Sequence, residues 1–117
     1  MTLREKLFPF LRANRITNTS EFNAMYSQGK GKTVGPLLIH CKKNELGISR
    51  LGLSVPKKVG NAVQRNRVKR KCREAFRLTI QFLPTGTDLL ITVRPHATLT
   101  LEEYKALILK GVSCLVG

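Results

Sequence analysis

Two segments that alternate apolar and polar residues, RLGLSVP at 50–56 and DLLITVR at 88–94, enclose the segment VGNAVQRNRVKRKCREAFR at 59–77. Alternation with period two marks a strand with one face on a core. The enclosed segment has another period. Val68, Cys72, Ala75, Phe76 and Thr79 recur at helical spacing, and Asn61 with Gln64 has the form of a capping box. Strand, long helix, strand in that order confine the chain to helices packed on a sheet, either α+β or α/β with one βαβ-like crossover.

The flanking segments extend this pattern. Asn18 with Glu21 predicts a short helix that carries Phe22, Met25 and Tyr26 on one side and stops near Gly29. GKGK at 29–32 reads as a basic loop, and PLLIHCKK at 36–43 as a further strand. Within it Leu37, Ile39 and Cys41 alternate with Leu38, His40 and Lys42. Pro84 and Gly86 end the basic helix. Thr100 with Glu103 opens a last helix, with Leu101, Tyr104, Ile108, Val112 and Leu115 as its apolar stripe. Residues 1–17 read as an irregular basic arm on a single domain spanning 1–117.

At 117 residues with 42% apolar content, the chain is long enough to bury a core. Its net charge of +14 says nothing about fold but selects polyanionic partners, either nucleic acid or an anionic membrane surface. Cys41, Cys72 and Cys114 form neither a CxxC pair nor a Cys/His cluster, which fits a reducing, cytoplasmic setting and no metal site. No apolar run has the length to span a bilayer, and LFPFL near the N-terminus lacks the form of a secretory signal.

Nine of the 21 basic residues fall within residues 57–77, against the single acid Glu74. Lys69, Arg70, Arg73 and Arg77 fall roughly opposite the apolar stripe, and like charges four apart, such as Lys69 and Arg73 or Arg73 and Arg77, repel each other on a helix, so an anionic partner is the expected compensation. An interfacial membrane helix needs bulky apolar residues to enter lipid, and here the small stripe is needed by the strands. Nucleic acid fits better. Arginine forks two hydrogen bonds onto a phosphate, and charge neutralisation releases condensed counterions. No catalytic residues are assigned. Seven scattered acids, with Asp88 alone at a strand start, and two isolated histidines offer no acid/base or metal-ligand set. His96 reads as loop and Cys72 as core.

LGLSVPKKVGNAVQRNRVKRKCREAFR closely resembles the signature region of the bacterial ribonuclease P protein subunit. The features are the KK–G–AV approach, RNR at 65–67, KR at 69–70 and REAFR at 73–77; EFNAMYSQGK and the last strand and helix agree as well. The resemblance implies an α-β-β-β-α-β-α order with a small mixed sheet, a left-handed βαβ crossover against the usual rule, and likeness to a ribosomal-protein domain. It implies a subunit of an endoribonuclease whose catalytic RNA, with Mg²⁺ bound mainly by that RNA, removes the 5′ leader of precursor tRNA. The protein alone would be inactive. Ribonuclease P RNA and precursor tRNA would be the partners, with no membrane and no DNA. Lys57, Lys58, Asn61, Arg67, Arg70 and Arg73 match positions that face the RNA subunit. Phe22, Tyr26, His40, Arg65, Asn66 and Lys69 match positions of a cleft for the single-stranded leader. The competing expectation is a general nucleic-acid-binding or ribosome-associated basic protein with no part in tRNA maturation.

Overall fold

The computed structural model describes residues 16, 19–44, 46–82, 86–97 and 99–116. The expected arm at 1–17, Ile16 excepted, the cap Asn18, Pro84 and the side chain of Leu115 lie outside what is described. The elements are α1 (Thr19–Gln28), β1 (Lys30–Val34), β2 (Leu37–Lys43), β3 (Arg50–Ser54), α2 (Ala62–Thr79), β4 (Thr87–Val93) and α3 (Leu101–Val116). Short 3₁₀ turns at Lys57–Val59 and Ile80–Phe82 flank α2. This is the expected α-β-β-β-α-β-α order. The strands form one sheet in the order β1-β2-β4-β3. Only β3 and β4 are parallel, and α2 is the crossover that joins them.

GKGK is not a loop. Lys30 opens β1, which pairs with β2 from Lys30↔Cys41 to Val34↔Leu37. Gly and Lys are poor strand formers, so the segment has no strand signal of its own. Its conformation comes from the partner strand and from a tight turn in which Gly35 takes φ +57. Exposed lysines are an ordinary protection for such an edge strand.

The core lies on one face of the sheet. Leu37, Ile39 and Cys41 of β2, Leu51 of β3, and Leu89, Ile91 and Val93 of β4 meet Val68, Cys72, Ala75 and Phe76 of α2. Tyr104, Ile108 and Val112 of α3 complete the cluster. These are the residues that the two periodicities select. Burial pushes the Cys41 and Cys72 thiols up to about 12, so both are inert core groups at neutral pH. Gly111 lets α3 settle on β2, since a Cβ there would stand 2.6 Å from Ile39 Cδ1.

The caps at Asn61 and Thr100 form as read. Asn61 N–H donates to Gln64 Oε1 and Gln64 N–H to Asn61 Oδ1, both at 2.9 Å. Thr100 and Glu103 exchange the same pair at 3.1 and 3.2 Å. His96, expected only as loop, is a fastener. Its Nδ1 lies 2.7 Å from the Arg94 carbonyl and its Nε2 2.7 Å from the Tyr104 hydroxyl. A carbonyl only accepts, so Nδ1 carries the proton and, in the neutral ring, Nε2 accepts from Tyr104. Lys71 Nζ donates to the Leu99 carbonyl at 3.0 Å and ties α2 to the same loop.

Candidate nucleic-acid interface

Two surfaces carry the residues singled out in the sequence. The first is α2. Successive residues turn about 100° around a helix, so Arg65, Lys69 and Arg73 follow one another along one flank of the buried stripe. All three are half-buried, whereas Asn66, Arg67 and Arg70 stand exposed. Lys57 and Lys58 are exposed on the 3₁₀ turn just before the helix. Among the described residues no ion pair involves Lys57, Lys58, Arg67 or Arg70. The Asn61 oxygen is taken by the helix cap, which leaves its amide N–H groups to donate.

The cationic face is shorter than the sequence suggests. Arg77, expected on it, is 9% exposed and paired with Glu74. Phe76, Leu78 and Thr79 around it are buried as well, so Arg77 reaches back along the helix to Glu74, whose side chain is 40% exposed.

The second surface is the sheet face opposite the core. Side chains line up across the strands in rows set by the register. One row holds Thr33, Leu38, Thr92 and Ser54, and the next holds Gly31, His40, Leu90 and Gly52. Helix α1 lies across this face. Phe22 sits on Gly52, where an added Cβ would come within 2.6 Å of the ring. Tyr26 is 44% exposed, with its hydroxyl 2.9 Å from Thr92 Oγ1. Its ring meets His40 edge-on, with centroids 5.1 Å apart.

Burial lowers the pKa of His40 below its ordinary value of 6.5 and so favours the neutral imidazole. His40 Nδ1 and Arg65 Nε are both buried without a hydrogen-bond partner. Buried polar atoms are normally satisfied. Both orphans fall on residues expected to contact the leader.

The structure brings Phe22, Tyr26 and His40 together. Arg65, Asn66 and Lys69 belong to a helix on the other face of the sheet. Because α3 packs over β1 and β2, α2 lies on the β3 side of the core face. Sequence reasoning missed the anchor of α1. Arg50 donates to both carboxylate oxygens of Asp88 at 2.9 and 2.6 Å, and to Glu21 at 2.5 Å. Asp88 is therefore not alone. Its partner sits opposite it in the parallel β3–β4 ladder, a signal visible only once the register is known. The carboxylates hold the Arg50 pKa above its ordinary value against the opposing effect of burial. Among the described residues, no three His, Cys, Asp or Glu side chains are grouped to hold a metal ion.

A basic helix on one face of a sheet and an aromatic-bearing open face on the other define a small nucleic-acid-binding α+β domain. The ribonuclease P family model matches residues 10–115. The ribonuclease P protein component of Lachnoclostridium phytofermentans is 42% identical over 79 residues, covering 68% of this chain and 68% of that one. That of Bacillus cereus is 38% identical over 96 residues, covering 80% and 84%. Among solved structures, the RNase P protein of Thermotoga maritima superposes with a TM-score of 0.78 at 26% identity, covering 88% of this chain and 98% of that one. The Staphylococcus aureus RNase P protein gives 0.76 at 28% identity, covering 88% and 95%. The chain belongs to the ribonuclease P family of protein components.

Proposed function

We propose that the chain is the protein subunit of a ribonuclease P holoenzyme and acts with the ribonuclease P RNA in 5′ processing of precursor tRNA. The family match over residues 10–115 carries this reading, because it spans both the basic helix and the open sheet face. A general basic RNA-binding protein would share the charge of α2 but has no reason to share both surfaces.

The proposed division of labour gives binding to the chain and chemistry to the RNA. Lys57, Lys58, Asn61, Arg67, Arg70 and Arg73 grip the RNA subunit through phosphates, while Phe22 and Tyr26 offer a stacking platform beside His40. A stacked base contributes roughly 1–3 kcal/mol with little sequence preference. Arg65, Asn66 and Lys69 form the rim that the strand passes on its way from the catalytic RNA. The protein supplies binding and orientation. The RNA, with Mg²⁺ bound mainly to it, supplies hydrolysis of the phosphodiester. Among the described residues no helix is long and apolar enough to cross a membrane, and the proposed setting is the cytoplasm with its RNA partners.

Reconstitution tests this. The purified chain, mixed with a bacterial ribonuclease P RNA at low Mg²⁺, should restore accurate 5′ maturation of precursor tRNA that the RNA performs poorly alone. Cleavage of the precursor by the protein with no RNA present would place the chemistry in the chain and overturn the division of labour.

A further inference from the structure

Helix α1 divides the open sheet face in two. On one side stand Tyr26, His40 and Thr92. On the other is a groove of about 540 Å³, lined among others by Glu21, Lys42, Lys43, Asn44, Arg50 and Asp88. That volume falls within the ordinary range for small-ligand sites, roughly 300–1,000 Å³.

The groups at its base are occupied with one another. Arg50 binds Asp88 and Glu21, and Asn44 Nδ2 donates to Asp88 at 2.5 Å. One guanidinium against two carboxylates leaves a single negative charge. Lys42 and Lys43 outweigh it, and neither has an acid partner among the described residues. Lys42, on the His40 face of β2, and Lys43, next to it at the groove's edge, are compact point charges of the kind that hold a phosphate.

Position decides which phosphate. His40 and Lys42 point to the same face of β2, two residues and so roughly 7 Å apart. A strand with a base on Tyr26 and His40 has to cross the end of α1 before its backbone reaches Lys42. The groove also opens on the sheet face away from α2, the helix assigned to the catalytic RNA. We infer that this groove is a second subsite for single-stranded RNA, in which Lys42 and Lys43 hold phosphate of the 5′ leader beyond the nucleotides in the aromatic cleft. The inference rests on the leader-binding reading above.

The test is precursor affinity in the holoenzyme, wild type against Lys42→Gln with Lys43→Gln, for leaders of about sixteen and about four nucleotides, the span of known single-strand sites. With the long leader, the variant should bind about tenfold more weakly at low salt. Its salt dependence should fall by about 1.4 in log–log slope, from about 0.7 per lost single-strand phosphate contact. With the short leader it should match wild type. No loss at any leader length, or an equal loss with mature tRNA or with the RNA subunit alone, would overturn the groove assignment. If wild type itself shows no preference for long-leader precursor over mature tRNA, the leader reading falls and takes this inference with it.

Discussion

Replacing Arg67 and Arg70 together with alanine should leave the fold intact and sharply weaken binding to the ribonuclease P RNA. Both side chains are exposed, and among the described residues neither is in an ion pair. Alanine is the best helix former, and the change relieves repulsion along α2, so lost stability cannot account for lost affinity. If each arginine neutralises one phosphate, the slope of log affinity against log salt should fall by about 0.9 per residue, about 1.8 in all. Titration of the RNA at several salt concentrations measures this directly. Arg→Lys at both positions should keep most of the slope, because the charge remains, while losing the affinity that comes from forked hydrogen bonds. An unchanged slope in the alanine variant would place this face off the RNA.

Asp88→Ala should have the largest effect on stability. Asp88 is 5% exposed and accepts from Arg50 and Asn44. Its removal leaves a largely buried guanidinium with only the half-exposed Glu21 as acid partner. Breaking a buried pair from one side typically costs about 3–5 kcal/mol. The low end applies, since Glu21 remains; about 3 kcal/mol in a domain of this size lowers Tm by about 10 °C or more. Thermal unfolding followed by circular dichroism reads it. A shift of under about 2 °C would show that the Arg50–Asp88 pair contributes little to holding β3 against β4. Because Arg50 also binds Glu21, the variant should loosen α1 and with it the seat of Phe22 and Tyr26.

These two cases also show what the chain discloses before it folds. The stripe Val68–Cys72–Ala75–Phe76 and the caps at Asn61 and Thr100 are local, set by residues within one or two turns, and they form as the spacing indicates. Strands β2, β3 and β4 fall where alternation places them, with ends that shift by one or two residues. Strand β1 does not, because Lys30, Gly31 and Lys32 have no alternation and acquire strand geometry only from β2.

Charged residues are legible by sign but not by partner. Arg77 looked like part of the RNA face and is folded back onto Glu74, because its neighbours Ala75, Phe76, Leu78 and Thr79 are all buried. Asp88 looked isolated and is held by a residue 38 positions away. The proposed leader cleft lies between these extremes. Phe22 and Tyr26 at i,i+4 were visible as a pair, and family resemblance singled out His40. Only the fold shows Tyr26 bridging to Thr92, its ring against His40, and the unpaired Nδ1 below.

The most direct measurement is the affinity of the holoenzyme for precursor tRNA against mature tRNA, with wild-type protein and with Phe22→Ala, Tyr26→Ala. Wild type should prefer the precursor. The double variant should lose most of that preference while binding the RNA subunit normally and retaining its melting transition. Equal affinity of the wild-type complex for precursor and mature tRNA would contradict leader recognition by the open sheet face.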